Sequence, residues 1–371
     1  MNQKKIVKLA ILACFFVIAP DGFSEQREFD DLEFFAAIDS LAWSESFGLT
    51  EILGETRGKA RPGTRILGNG LGEMGLRSRN WEVAYVVRAD YFVKHSKDLS
   101  KLISLQNNDL PLATGQTHNL DADVEVAHTN GLRVGYIKEF SPSLRLGLRI
   151  SYLRGFRLIS AKSGGRFSVT EESLPLGSAH FNYYSGSDYL FGQRYAEPRG
   201  QGYAVDFFFG WGITRNWFAS IEAKDAVHNV KWRDAPQTIA NVDSTGLGLD
   251  GSNRLVSRPL ISGKQSLSSY DQSLPIRVKV GSSYRFNDRS KVSTQLFISD
   301  GNILPAFSYF GRMNRKTLWS FDVSPSTGGY GFGIHRDNLS ISLGADALSE
   351  SRARFVALNV SLTLRLVSSL K

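Results

Sequence analysis

The chain has 371 residues, 42% of them hydrophobic and 22% charged, with 35 glycines, 11 prolines and a single cysteine. That apolar fraction excludes a disordered chain, one cysteine excludes a disulfide scaffold, and beyond residue 24 no run approaches the ~18 consecutive apolar residues of a membrane helix. The 44 basic and 36 acidic residues leave +8, interspersed rather than gathered on a helix, so nucleic acid is not an expected partner.

At the N-terminus, Lys4, Lys5 and Lys8 precede an apolar run from Leu9 to Ala19, which Pro20 breaks. Gly22 and Ser24 then occupy −3 and −1 of a cut after Ser24. This three-part pattern predicts a secretory signal over residues 1–24, although Ile11 to Cys14 also permits a lipoprotein reading. Removing the signal takes away the only cysteine and leaves 41 basic and 35 acidic residues, or +6. Residues 25–60 read as an N-terminal arm or plug. A helix competes over Asp30 to Ala42, capped by Asp30 or Asp31 with Phe34, Ile38, Leu41 and Ala42 on one face.

From residue 61 onward the dominant pattern has period two. Trp81, Val83, Tyr85, Val87, Tyr91 and Val93 alternate with Glu82, Arg88 and Asp90. Leu144, Leu146, Leu148, Ile150 and Tyr152 alternate with Arg145, Arg149 and Ser151, and Tyr203 to Ile213, Ile276 to Phe286 and Val356 to Leu366 behave alike. Strands are predicted near 66–78, 81–94, 120–140, 144–158, 200–213, 217–228, 274–286, 291–299, 303–312, 317–323, 329–335, 339–347 and 353–366. Segments of 12 to 15 residues exceed the ~5–6 of a soluble strand and suit a tilted membrane strand of ~9–11. Trp81, Phe140, Trp211, Trp217 and Phe286 stand at strand ends, where an interfacial girdle needs aromatics. Short turns (78–80, 141–143, 214–216, 287–290, 314–315, 336–338) alternate with connections that are mostly longer (95–119, 159–199, 229–273). This is the rule of outer-membrane barrels. Unbroken parity from Leu120 through Val126 and Leu132 to Tyr136 makes 120–140 one strand despite Asn130-Gly131. Thirteen strands cannot return both ends to the periplasm, so one more is expected before residue 66, most simply within Trp43 to Leu53. The predicted fold is therefore all-β, a transmembrane antiparallel up-and-down barrel of about fourteen strands over residues 61–371, with a short N-terminal plug or helix and the first strand in the arm.

Site chemistry is sparse. His128 and His335 fall inside strands, while His95, His118 and His180 do not and His228 only closes the segment 217–228, and neither strand histidine has a local serine and acid motif. No metal spacing occurs, and Gly68 to Gly72 and Gly328 to Gly331 lack the following helix of a phosphate loop. Neither an enzyme nor a cofactor is expected. The polar parity is more informative: Arg88, Arg133, Arg145, Arg149, Arg157, Arg277, Lys279 and Arg285 are candidate lumen residues, opposed by Asp206 and Glu222. They form either a cross-linked, rigid wall or a basic ladder selecting anionic or amphipathic solutes.

Leu274 to Phe286 (LPIRVKVGSSYRF) and Leu132 to Tyr136 (LRVGY) carry an apolar-arginine-apolar-glycine-tyrosine pattern. With the signal segment and the strand count, the mature chain resembles the fourteen-stranded long-chain fatty acid transporter superfamily of outer-membrane barrels, including its conjugation-associated relatives. The resemblance implies diffusion of hydrophobic molecules through a plugged barrel in the cell outer membrane. The expected function is a channel or transporter for small hydrophobic or amphipathic solutes. The alternative is a non-transporting barrel that anchors or assists a secretion, conjugation or surface-polymer assembly. Expected partners are outer-membrane lipid, a small solute and, under the alternative, a periplasmic or envelope protein.

Overall fold

The computed structural model describes residues 32–52, 61, 63–78, 80–108, 110–171, 175–188, 190–244, 247–249, 255–257, 260–349 and 352–366. The expected signal segment and the start of the arm lie outside the described residues. In chain order the strands are β1 (Leu32–Ser44), β2 (Arg65–Ser78), β3 (Trp81–His95), β4 (Thr117–Asn119), β5 (Ala122–Ser141), β6 (Leu144–Val169), β7 (Pro175–Ser185), β8 (Arg199–Gly212) and β9 (Trp217–Asp243). They continue as β10 (Leu247–Leu249), β11 (Leu255–Ser257), β12 (Leu260–Gln272), β13 (Arg277–Asn287), β14 (Ser290–Ser299) and β15 (Asn302–Asn314). The last four are β16 (Thr317–Ser324), β17 (Gly329–Arg336), β18 (Leu339–Ala345) and β19 (Phe355–Leu366). A one-turn helix, α1 (Leu49–Ile52), follows β1. The longer α2 (Lys97–Asn107) is capped by Ser96, whose Oγ accepts from the Leu99 amide at 3.1 Å.

β1 pairs with β2 on one side and β19 on the other, closing an antiparallel wall of fourteen strands. Around it run β1, β2, β3, β5, β6, β8, β9 and then β13 to β19. Closure leaves no open edge, the condition for a sheet to cross a bilayer. The sense of the alternation identifies the solvent. On β3, Trp81, Val83, Tyr85 and Val87 are exposed, whereas Glu82, Arg88 and Asp90 are buried; Val83 is 53% exposed and Asp90 1%. A soluble sandwich would reverse this. Leu132, Val134, Ile150, Phe207, Val227, Phe332 and Leu343 continue the outward apolar belt. Trp81, Phe140, Trp211, Trp217 and Phe286 are all exposed at the short-turn end, as an interfacial girdle requires.

Two expectations need correction. The first strand lies at Leu32–Ser44, not within Trp43 to Leu53, and it occupies the segment read as a possible helix. That segment is apolar at both periods. Twelve register pairs with β2 and twelve with β19 decide for strand, since a helix there would leave two edges unpaired. The expected loops 159–199 and 229–273 are also partly strand. β6 runs for 26 residues and β9 for 27. Where β8 ends, β7 takes its place between β6 and β9, and β12 pairs along the other side of β9. The long β5 is a single strand of 20 residues, as parity predicted. The irregularity sits in its partner, where Phe156 is the extra residue between Gly155 and Arg157.

Candidate functional site

The lumen is filled in layers. Nearest the long-loop end, Trp43, Leu67, Phe92, Ala127, Leu274, Phe297, Leu304, Phe355 and Ala357 form one buried cluster. Because β3 and β15 lie on opposite arcs of the wall, contact among these side chains crosses the interior. A second cluster gathers Leu71, Val86, Leu153, Leu158, Ala204, Val230, Trp232 and Ala235. Trp232 is fully buried and donates from Nε1 to Gln272 Oε1 at 3.0 Å. Its ring lies on Gly155 and Gly200, where an added Cβ would come within 2.3 and 2.9 Å of indole atoms. Only glycine permits that approach.

Below lies a charged layer built by one defect. Between Val205 and Phe207 the register of β9 shifts, so Lys224, Asp225 and Ala226 oppose Asp206 alone, and Asp225 adopts φ 58°. In a regular strand Lys224 and Asp225 would point to opposite faces. Here both side chains enter the lumen. Arg88 donates to the two Asp225 carboxylate oxygens at 2.6 and 2.8 Å and to Asp90 at 3.1 Å. Arg277 reaches Asp90 at 2.9 Å and also bonds Asp225. The Asp225 amide donates to Asp206 at 2.8 Å. Lys224 and Lys279 both donate to Asp39 at 2.8 Å. Further toward the short turns, Arg133 pairs with Glu73 and, at 3.5 Å, with Asp206. Arg149 pairs with Glu82 at 2.6 Å and Glu222 at 3.5 Å.

Asp39 on β1 and Lys279 on β13 come from diametrically opposite strands. A round wall of fourteen strands would be on the order of 25–30 Å across. One lysine, one aspartate and a hydrogen bond span less than half of that. The wall is therefore flattened at this level, and ion pairs hold its faces together.

Arg88, Arg133, Arg149, Asp206, Glu222, Arg277 and Lys279 thus belong to one cross-lumen network. Arg145 lies at the short-turn rim with Glu139, and Arg285 is half-buried at the same end. Arg157 is a correction. The Phe156 bulge puts Leu158 into the interior cluster and turns Arg157 outward beside His128. Sequence reading missed Asp39, Glu73, Lys224 and Asp225. His335 Nδ1 meets Ser340 Oγ at 2.6 Å and Nε2 meets Ser320 Oγ at 3.0 Å, while Asp322 accepts from Ser320 at 3.4 Å. The acid reaches a serine and not the imidazole, which is not the order of a hydrolytic triad.

Beyond the membrane-spanning wall, Asp188 knots the long connections. It accepts from Tyr183 Oη at 2.6 Å, the Leu190 and Phe191 amides at 2.9 Å, Thr238 Oγ1 at 3.0 Å, and Gln265 Nε2. Burial alone would raise its pKa, but these hydrogen bonds outweigh it and hold the carboxyl below its ordinary range.

Closure, the outward apolar belt and the charged interior define a transmembrane β-barrel of the cell outer membrane. No protein-family model and no curated protein matches the chain. Among solved structures, the Pseudomonas putida toluene transporter TodX is similar over 93% of this chain and 89% of its own, at 9% identity and a TM-score of 0.41. The Ralstonia pickettii toluene transporter TbuX is similar over 91% and 90%, at 9% identity and TM-score 0.31. A Pseudomonas aeruginosa FadL homologue is similar over 90% and 86%, at 9% identity and TM-score 0.32. At such values the likeness says nothing of solute.

Proposed function

We propose that the barrel admits small hydrophobic or amphipathic solutes across the outer membrane. The observation that supports this reading is the aromatic and aliphatic cluster inside the lumen, from Trp43 to Ala357, set between the long-loop mouth and the charged layer. A general aqueous pore lines its interior with polar groups, whereas an apolar compartment offers a solute the same transfer free energy as a bilayer. The flattened charged layer below it serves as the barrier to water and ions. A second reading draws on the Asp39–Lys279 pair: a barrel tied across its diameter also suits a silent anchor in an envelope assembly.

Purified protein in planar bilayers, alongside proteoliposome uptake of a fluorescent hydrophobic probe and a charged sugar of similar size, separates the two. Probe uptake above protein-free liposomes, with the sugar excluded, supports the channel. No uptake and no current under any added solute overturns it in favour of the anchor.

A further inference from the structure

The outward face carries a chemistry that the lumen does not use. Up β6 and β8, Tyr152 and Tyr203 are exposed register partners, and on β6 the bulged Phe156 is the next exposed aromatic beyond them. Arg154 is the next outward residue on β6. Next to it, β8 and β9 present Arg199, Lys231 and Arg233, all exposed, with Arg199 directly opposite Arg233. Arg154 lies ten residues above Leu144, the start of β6. For a tilted strand that is about 25 Å along the barrel axis, the height of the apolar band. The four side chains therefore stand at the level of the outer-leaflet headgroups.

Like charges directly opposite one another on neighbouring strands are destabilising unless an anion lies between them. Asp271 is the register partner of Lys231, Asp234 follows Arg233, and Glu197 faces Arg157. Among the described residues, none of these acids forms an ion pair with Arg154, Arg199, Lys231 or Arg233. The feature is confined to one sector. Elsewhere at the long-loop end the outward face presents Ile276, Ile303 and Tyr330. Directly below the basic facet, Ile150, Tyr152, Tyr203, Phe207 and Val227 offer exposed apolar surface for acyl chains.

We propose that this facet binds the phosphate groups of a phosphorylated glycolipid of the outer leaflet, with its acyl chains against the apolar strip beneath. Arginine and lysine at two adjacent strands can engage two phosphates at once, and charge-assisted bonds to phosphate are the strong kind. The proposal does not depend on what the lumen carries.

Native mass spectrometry of the full chain in detergent, titrated with diphosphorylated lipid A, its dephosphorylated form and inorganic phosphate, tests it. The variant is Arg199→Gln with Arg233→Gln, and Lys316→Gln at the opposite end is the control. Heat-modifiable gel mobility reports folding. Lipid A is expected to bind the native chain and the control alike, and the double variant ~10-fold more weakly, with the dephosphorylated lipid weaker on all three. Equal binding by the double variant, or by the dephosphorylated lipid, overturns the proposal. So does inorganic phosphate displacing lipid A at equal concentration, which would make this a free-anion site. Should the double variant fail to fold, the native chain decides: affinity falling with added salt supports a phosphate contact, and salt-independent affinity overturns it.

Discussion

Replacing Asp225 by asparagine isolates the charged layer with little steric change. Asparagine tolerates the positive φ of this position, so the bulge itself is not strained. The substitution leaves two buried guanidiniums, Arg88 and Arg277, facing one acid, Asp90. At an effective dielectric of ~20, each lost pair at ~4 Å between charge centres represents about 4 kcal/mol of gross attraction. Relief of repulsion among Asp90, Asp206 and Asp225 offsets part of it. Removing one partner from a buried ionic group costs about 3–5 kcal/mol net, and that is the loss expected for Asp225→Asn. Urea unfolding in detergent, followed by tryptophan fluorescence and gel mobility, measures it. Adding Arg277→Met to Asp225→Asn restores the charge balance between Arg88 and Asp90 and is expected to recover at least ~1 kcal/mol. A loss below ~1 kcal/mol for the single variant, with no recovery in the double, would mean that water already solvates these groups and that the lumen is open at this level.

Three further outcomes follow from the same geometry. Asp39→Asn removes the carboxylate charge that Lys224 and Lys279 share across the diameter, leaving like charges to repel around a neutral amide; single-channel current in planar bilayers is expected to rise, and unchanged current would mean that these strands are held by other contacts. Gly155→Ala drives a methyl into the Trp232 ring and is expected to cost roughly 1–3 kcal/mol, with a shifted tryptophan emission maximum, where Gly72, at which an added Cβ meets nothing nearer than 4.0 Å, gives neither. For Asp188 the folded-state pKa is depressed, so its contribution is complete above the unfolded value near 3.9 and is lost as pH falls through the lower folded value. Amide exchange at Leu190 and Phe191, corrected for intrinsic rate, is expected to lose protection only below about pH 4, and protection independent of pH would refute the role of the carboxylate.

The wall was legible because alternation over a dozen residues has few physical causes, and the strict succession of short and long connections excluded the soluble one. The fourteenth strand was placed wrongly because Phe34, Ile38 and Ala42 satisfy helical spacing and strand parity together, and only its pairing with β2 and β19 breaks the tie. Reading residues 32–44 as a strand would have put Asp39 on the same parity as Trp43, facing inward with the acids already named. Lys224 and Asp225 could not be found that way, since parity assigns adjacent residues to opposite faces and the bulge that overrides it has no glycine or proline to announce it. The same failure sent Arg157 to the wrong side. Strand parity carries information only until the first extra residue.

β9 continues for 27 residues from its girdle tryptophan, Trp217. At the tilt of a barrel wall that is roughly 60–70 Å along the axis, against an apolar band of about 25 Å. More than half of this strand, flanked by β7 and β12, therefore projects like a chimney beyond the bilayer and through the saccharide coat of the cell. On the proposed reading of the barrel as a channel for hydrophobic solutes, such a molecule would meet this raised collar before it meets the sugars, the layer that excludes it elsewhere on the surface.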